Sequence, residues 1–175
     1  MKKQILLFGS ILLGIILLCA LALLIGNPFK VTADSSQYPA DFSFRFESWA
    51  ESSHKNVLDS KKHLYHKASA ENGTGDREYN PSETELRLIW AEAVNNDFFS
   101  IDQDNVYFGN TWNGSTISIS DGVPYYYRIT VEMNGESHTI LGSTFTFAFD
   151  DQGSDTKHFC TFCKFLQEKF EHANV

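Results

Sequence analysis

The sequence predicts an α+β domain. Its mainly antiparallel sheet runs in the order strands, helix, strands, helix, with the helices packed on one face, and an N-terminal transmembrane helix precedes the whole. Three observations carry this prediction. Phe42, Phe44 and Phe46 alternate with Ser43, Arg45 and Glu47, a period of two that makes a half-buried strand. Asn134-Gly135 lies between two alternating runs, and the type I′ turn of a two-residue hairpin needs positive φ at both positions, which favours that pair. Two segments place apolar residues at helical spacing: Leu86, Ile89, Trp90, Ala93 and Val94, then Phe159, Phe162, Cys163, Leu166 and Phe170. Hairpins join neighbouring strands, so the sheet is expected to be antiparallel.

At the N-terminus, Lys2 and Lys3 precede an uncharged apolar run of 21 residues, Ile5 to Ile25. At about 1.5 Å per residue it reaches roughly 32 Å, enough for the hydrocarbon core of a bilayer. Asn27-Pro28 stops it, because proline removes a donor and restricts the residue before it. Ser10 and Gly14 form one small-xxx-small pair through which two such helices would approach each other. Residues 1–27 are therefore expected to be a membrane anchor or signal segment, 28–40 a linker, and 41–175 an extracytoplasmic domain. A signal peptide cleaved after Ala33, at Val31-Thr32-Ala33, is the alternative, but the apolar stretch of such peptides is usually only about 7–15 residues. Lipidation at Cys19 is disfavoured by the bulky Leu18 before it. The two lysines place the N-terminus on the cytoplasmic side and the domain outside, although Lys30 on the far side opposes that rule.

Within the domain, Asp41–Glu47 is the first strand and Asn56–Lys67 a second strand region. Ala70–Asp76 reads as a loop. Asn80-Pro81-Ser82 opens a helix: Ser82 with Glu85 forms a capping box, Glu83 suits the positive end of the dipole, and Asn95-Asn96 ends it. Phe98, Phe99 and Ile101 return the chain to the core. Residues 102–123 form a polar connection with a short strand at Thr116–Ser120. Tyr125–Leu141 is a hairpin, in which Val131 opposes His138 and Ile129 opposes Ile140. Phe145, Phe147 and Phe149 mark a further strand, Asp150–Asp155 a turn, and the last helix follows.

The 175 residues make one domain, 42% hydrophobic, 21% charged and 14% aromatic, which excludes a disordered, collagenous or disulfide-dense chain. The net charge of −8 argues against a nucleic-acid partner, which calls for a basic patch. With Lys2, Lys3 and Lys30 set aside, eleven basic residues face 22 acidic ones, so the outer domain carries −11 and is expected to stand off from an anionic bilayer.

Across residues 41–141 the chain resembles a group of small membrane-anchored or lipoprotein-like envelope proteins of Gram-positive bacteria. The resemblance rests on the aromatic strand Asp41–Glu47, on Leu58-Asp59-Ser60 leading to Leu64-Tyr65-His66-Lys67, on a helix ending in Asn96-Asp97-Phe98-Phe99, and on the hairpin after it. It implies an envelope location and an α+β fold, and no catalytic residues. The C-terminal Cys-x-x-Cys departs from the group.

Cys160-Thr161-Phe162-Cys163 is the sharpest local signal. Near a helix start, such a pair lies about 5–6 Å apart by Cα, within disulfide range, and a helix N-terminus, with Lys157 and His158 nearby, would lower a thiol pKa. A structural disulfide or packed thiols, a redox-active pair and a metal half-site are the three readings. Against the redox reading, only 12 residues follow Cys163, and that residue falls on the apolar stripe. A zinc site would need His63 and His66 together with His158, Cys160 and Cys163, but two histidines at i and i+3 in a strand point to opposite faces. His138 fits a satisfied sheet histidine better than a ligand. Asp102-x-Asp104 and Asp150-Asp151…Asp155 miss the spacing of a calcium loop and read as turn-forming residues. Asn72-Gly-Thr and Asn113-Gly-Ser fit the glycosylation pattern. Tyr107, Phe108 and Trp112, in an Asn- and Gly-rich loop, are the candidate binding residues, placed to stack on a sugar or anchor a partner.

Nucleophile elbow, phosphate loop, dinucleotide fingerprint and metalloprotease motifs are all missing. No cofactor or metal is implied. The expected partners are the lipid bilayer, through residues 5–25, and an envelope glycan or protein. The expected function is non-catalytic binding or scaffolding at the cell envelope; the alternative is an extracytoplasmic thiol–disulfide oxidoreductase using Cys160 and Cys163.

Overall fold

The computed structural model describes residues 38–50, 54–68, 75–106, 111–112, 115–116, 125–148 and 153–173, all within the unit Ala33–Val175. The strands are β1 (Ser43–Ala50), β2 (Asn56–Asp59), β3 (Leu64–Lys67), β4 (Gly75–Glu78), β5 (Thr111–Trp112), β6 (Ser115–Thr116), β7 (Tyr125–Met133) and β8 (Glu136–Ser143). The α-helices are α1 (Glu83–Asn95), α2 (Thr144–Ala148) and α3 (Ser154–His172). Six strands form one sheet in the order β4-β3-β2-β1-β7-β8, every neighbouring pair antiparallel. β5 and β6 pair separately. The architecture is the α+β type that the alternating runs and helical stripes imply.

One face of the sheet is the core. Phe42, Phe44 and Phe46 of the first strand region, Leu58, Tyr65, Ile129, Val131 and Ile140 are all buried there. The helices lie against it: Trp90 of α1 packs edge-on to Phe42 at 5.5 Å, and Tyr65 stacks on Phe170 of α3 at 4.8 Å. Phe98, in the short turn after α1, bridges the layers, 5.3 Å from His138 and 5.1 Å from Phe162. On α3 the stripe Phe159, Phe162, Cys163, Leu166 and Phe170 is buried throughout. On α1, Ile89, Trp90 and Ala93 are buried while Leu86 and Val94 sit at the margin.

Local chemistry sets the element ends. Ser82 caps α1, its hydroxyl accepting from the Glu85 amide. The reciprocal half of the capping box is replaced: the Tyr79 hydroxyl donates to the Glu85 carboxylate at 3.1 Å. Asn134 and Gly135 both have positive φ, 53° and 76°, and the hairpin register pairs Val131 with His138 and Ile129 with Ile140 as the two-residue turn requires.

Several expectations need correction. Asn56–Lys67 is a hairpin of two short strands, because Ser60–His63 turns on Asp59: its carboxylate accepts from the Lys61 and Lys62 amides, and His63 takes φ 53°. The loop expected over 70–76 yields to β4 from Gly75. Of the strand expected at Phe145, Phe147 and Phe149, Phe145 and Phe147 lie in the helix α2 instead. At Ser143 the sheet reaches the last described pairing with β7, and the Thr146 hydroxyl accepts from the Ser143 amide at 2.8 Å, which turns the chain. Of the strand expected at Thr116–Ser120, Thr116 lies in β6 and the rest falls outside the described residues. Outside them too are the apolar run 5–25, Cys19, Ala33, Asn72, Tyr107, Phe108, Asn113, Phe149, Asp150 and Asp151. Among the described residues, no helix is long and apolar enough to cross a membrane.

Candidate functional site

The Cys160/Cys163 pair lies on the inner side of α3 under the sheet, 1% and 0% exposed. Helix α3 begins at Ser154, so Cys160 is its seventh residue and not at its start. The dipole acts over the first turn only, so it does not reach these sulfurs. Burial pushes the Cys163 thiol well above its ordinary pKa, with Cys160 adding to the effect and Lys164 opposing it. A neutral, solvent-excluded thiol is a poor nucleophile. In a Cys19→Ser background both thiols are expected to react with a disulfide reagent more than about a hundredfold more slowly than in the urea-unfolded chain, because exposure requires α3 to detach. Labelling kinetics against urea check this; fast labelling of the folded protein would show an accessible pair.

The opposite face of the sheet carries a polar and aromatic cluster. Antiparallel register sets Glu47 of β1 beside Arg128 of β7 on one side and Val57 of β2 on the other. Glu47 lies on the face away from the helices yet is only 4% exposed, because cations close over it. Its carboxylate accepts from Arg45 Nη2 at 3.1 Å and Arg128 Nη1 at 3.0 Å, with Lys55 Nζ at 3.6 Å. Arg45 also donates to Asp59 at 2.6 Å. Burial alone would raise the Glu47 pKa; the hydrogen bond from Arg45 and the charges of Arg45, Lys55 and Arg128 outweigh it and hold the carboxyl below the usual glutamate range.

An aromatic ladder adjoins these charges. Trp49 stacks on its cross-strand neighbour Tyr126 at 5.7 Å. Lys55 Nζ sits 4.5 Å from the Trp49 ring centre and the Arg128 guanidinium 5.5 Å from it, so the ring and the carboxylate together pin both cations. Hydroxyls continue the face, with Thr130 and Thr139 hydrogen-bonded across β7 and β8 at 2.9 Å. At the far edge a hydrogen bond between His66 and Asp76 joins β3 to β4, and elsewhere on the sheet Lys61 pairs with Glu132. This arrangement presents fixed cationic donors beside a rigid aromatic edge. Its two buried carboxylates are committed, Glu47 to guanidinium and ammonium groups and Asp59 to the Arg45 guanidinium and the Lys61 and Lys62 amides.

The structure separates most of the residues singled out by sequence. His63 lies in an exposed turn while His66 is on the open face, and the cysteines lie beneath the other face. Among the described residues, no group of three or more His, Cys, Asp or Glu side chains is placed to hold a metal ion. Asp102 and Asp155 do meet, as loop anchors: Asp155 accepts from the Asp102 amide and the Asn105 side chain, and Asp102 accepts from the Asp104 amide. His138 faces Phe98, and burial pushes its pKa down against the opposing pull of the Phe98 and Ile101 carbonyls. Trp112 lies in β5, whose side chains fall outside the described set, as do Tyr107 and Phe108 altogether.

The residues that sequence reasoning missed are Glu47, Trp49, Lys55 and Arg128. The polar halves of two alternating strands were the available signal. Their meeting required the β1–β7 register, which joins residues 81 apart in the chain. Neither a protein-family model, nor a curated protein, nor a solved structure matches this chain.

Proposed function

We propose that this protein is a membrane-tethered, extracytoplasmic binding domain that recognises a component of the cell envelope through the open face of its sheet. The apolar run 5–25 supports the tether, with Lys2 and Lys3 favouring a cytoplasmic N-terminus. The observation that carries the binding role is the cluster built on Glu47. There, two arginines, a lysine and a Trp–Tyr stack are held rigid on a face that neither long helix covers. Rigid, pre-positioned groups lose little conformational entropy on binding, which suits them to recognition. Tyr107, Phe108 and Trp112 remain proposed as further contacts. The buried, protonated thiol of Cys163 favours binding over thiol–disulfide exchange.

The test is co-sedimentation of the full chain, in neutral detergent, with purified envelope fragments. Trp49→Ala is expected to weaken retention at least about fivefold, the cost of losing an aromatic anchor. Lys157→Ala, on the exposed side of α3, is expected to leave it unchanged. Absence of co-sedimentation, or equal loss in both variants, would overturn the reading.

A further inference from the structure

The chemistry of the ligand follows from the charge and surroundings of the open face. Arg45, Lys55 and Arg128 bring three positive charges against the two carboxylates of Glu47 and Asp59. Among the described residues this corner therefore has surplus positive charge, in a domain whose overall charge is strongly negative. Arg128 turns one nitrogen to Glu47 and keeps 35% of its side chain exposed, and Lys55 keeps 41%. A guanidinium has five N–H donors and an ammonium three, so both retain donors for an incoming acceptor. Their positions are fixed in advance by Trp49 and Glu47. Lys55, just before β2, and Arg128 on β7 flank β1, and their charged heads converge on the two oxygens of the Glu47 carboxylate, Nζ at 3.6 Å and Nη1 at 3.0 Å, so both lie within reach of one charged sugar unit.

The rest of the face argues for a hydroxylated polymer over a lipid surface. Hydroxyls line it beyond the cations, at Thr130 and Thr139. The one exposed large hydrophobic side chain among the described residues, Leu88, is on α1 and so on the helix side of the sheet. The aromatic rings of the open face, Trp49 and Tyr126, are stacked on each other and do not protrude as an exposed apolar patch.

We propose that the Lys55–Trp49–Arg128 corner of the open sheet face binds the oxyanion groups, carboxylate or phosphate, of an anionic glycan. This rests on the reading that the open face is the recognition surface, and it adds the ligand class.

The full chain in neutral detergent is titrated with polygalacturonate as the carboxylate probe, with poly(glycerol phosphate) as the phosphate probe, and with dextran as the neutral one. Binding to at least one anionic polymer and not to dextran is expected, weakening as salt rises. The Lys55→Gln/Arg128→Gln double variant is expected to lose at least about tenfold in affinity and each single variant about threefold, while Lys157→Gln changes nothing. Should the double variant misfold by circular dichroism, Lys55→Gln decides, because its ammonium is the most exposed member of the cluster. Equal binding to dextran, unchanged affinity in Lys55→Gln, or a preference for phosphatidylglycerol doped into the detergent micelles that Lys55→Gln abolishes would overturn the proposal. If envelope co-sedimentation persists in any of those cases, the ligand class falls and the recognition surface stands; if co-sedimentation also fails, both fall.

Discussion

Replacing Gly142 with alanine is expected to destabilise the domain by about 3 kcal/mol, the upper range for forcing a methyl into a packed core. A Cβ at Gly142 would lie 2.2 Å from Phe159 Cε1 and 2.7 Å from Cζ. Phe159 has nowhere to retreat: it is fully buried, between β8 and the body of α3. Gly142 opposes Tyr127 across the hairpin, and the Tyr127 ring packs against Phe147 at 5.0 Å, so strain there spreads into the turn after β8. Urea unfolding measures the loss. A double-mutant cycle identifies the cause: with Phe159→Leu in place, Gly142→Ala should cost markedly less than it does alone, because the atoms it collides with are gone. Equal cost in both backgrounds would show that the close approach is not what requires glycine here.

Glu47→Gln is expected to cost about 2–3 kcal/mol. The amide keeps the shape but leaves Arg45, Arg128 and Lys55 without the carboxylate they close over, and removing one partner of a buried pair typically costs about 3–5 kcal/mol. The lower figure applies because the three cations keep roughly a third of their surface in water, where screening weakens the pairs. The pH dependence has a definite sign. The folded carboxyl titrates below its ordinary value of 4.5. Its contribution is therefore complete above that value and is lost as pH falls through the depressed folded pKa. Wild type should lose this part of its stability on acidification below pH 4.5, and Glu47→Gln should show a shallower acid limb. Parallel acid limbs would mean that Glu47 does not carry that loss.

These two positions also mark how far the chain's chemistry could be read without its fold. The Phe42–Phe46 alternation, the Ser82 cap and the Asn134-Gly135 turn are each written within a few residues, and each produced the element and register its spacing called for. The aromatic alternation at Phe145 and Phe147 was just as regular and became a helix, which begins where the Thr146 hydroxyl accepts from the Ser143 amide, a tertiary contact that alternation alone does not encode. The cysteine pair was visible as a motif; its depth in α3 and its burial were not, since both depend on where the helix starts and what lies above it. Glu47 read as one polar residue among many on the outer half of a strand.

What the amino-acid order determined by itself was the kind of chain: an apolar N-terminal run ahead of an acidic α+β domain, with its first strand, its Asn134-Gly135 hairpin and its two helical stripes in place. What only the tertiary structure decided was which distant residues share a surface. Periodicity and turn preference act over a turn of helix or a pair of residues and so survive in the bare sequence. The meeting of Glu47 with Arg128, and of Gly142 with Phe159, depends on strand order and helix docking, which the chain settles only when its core closes.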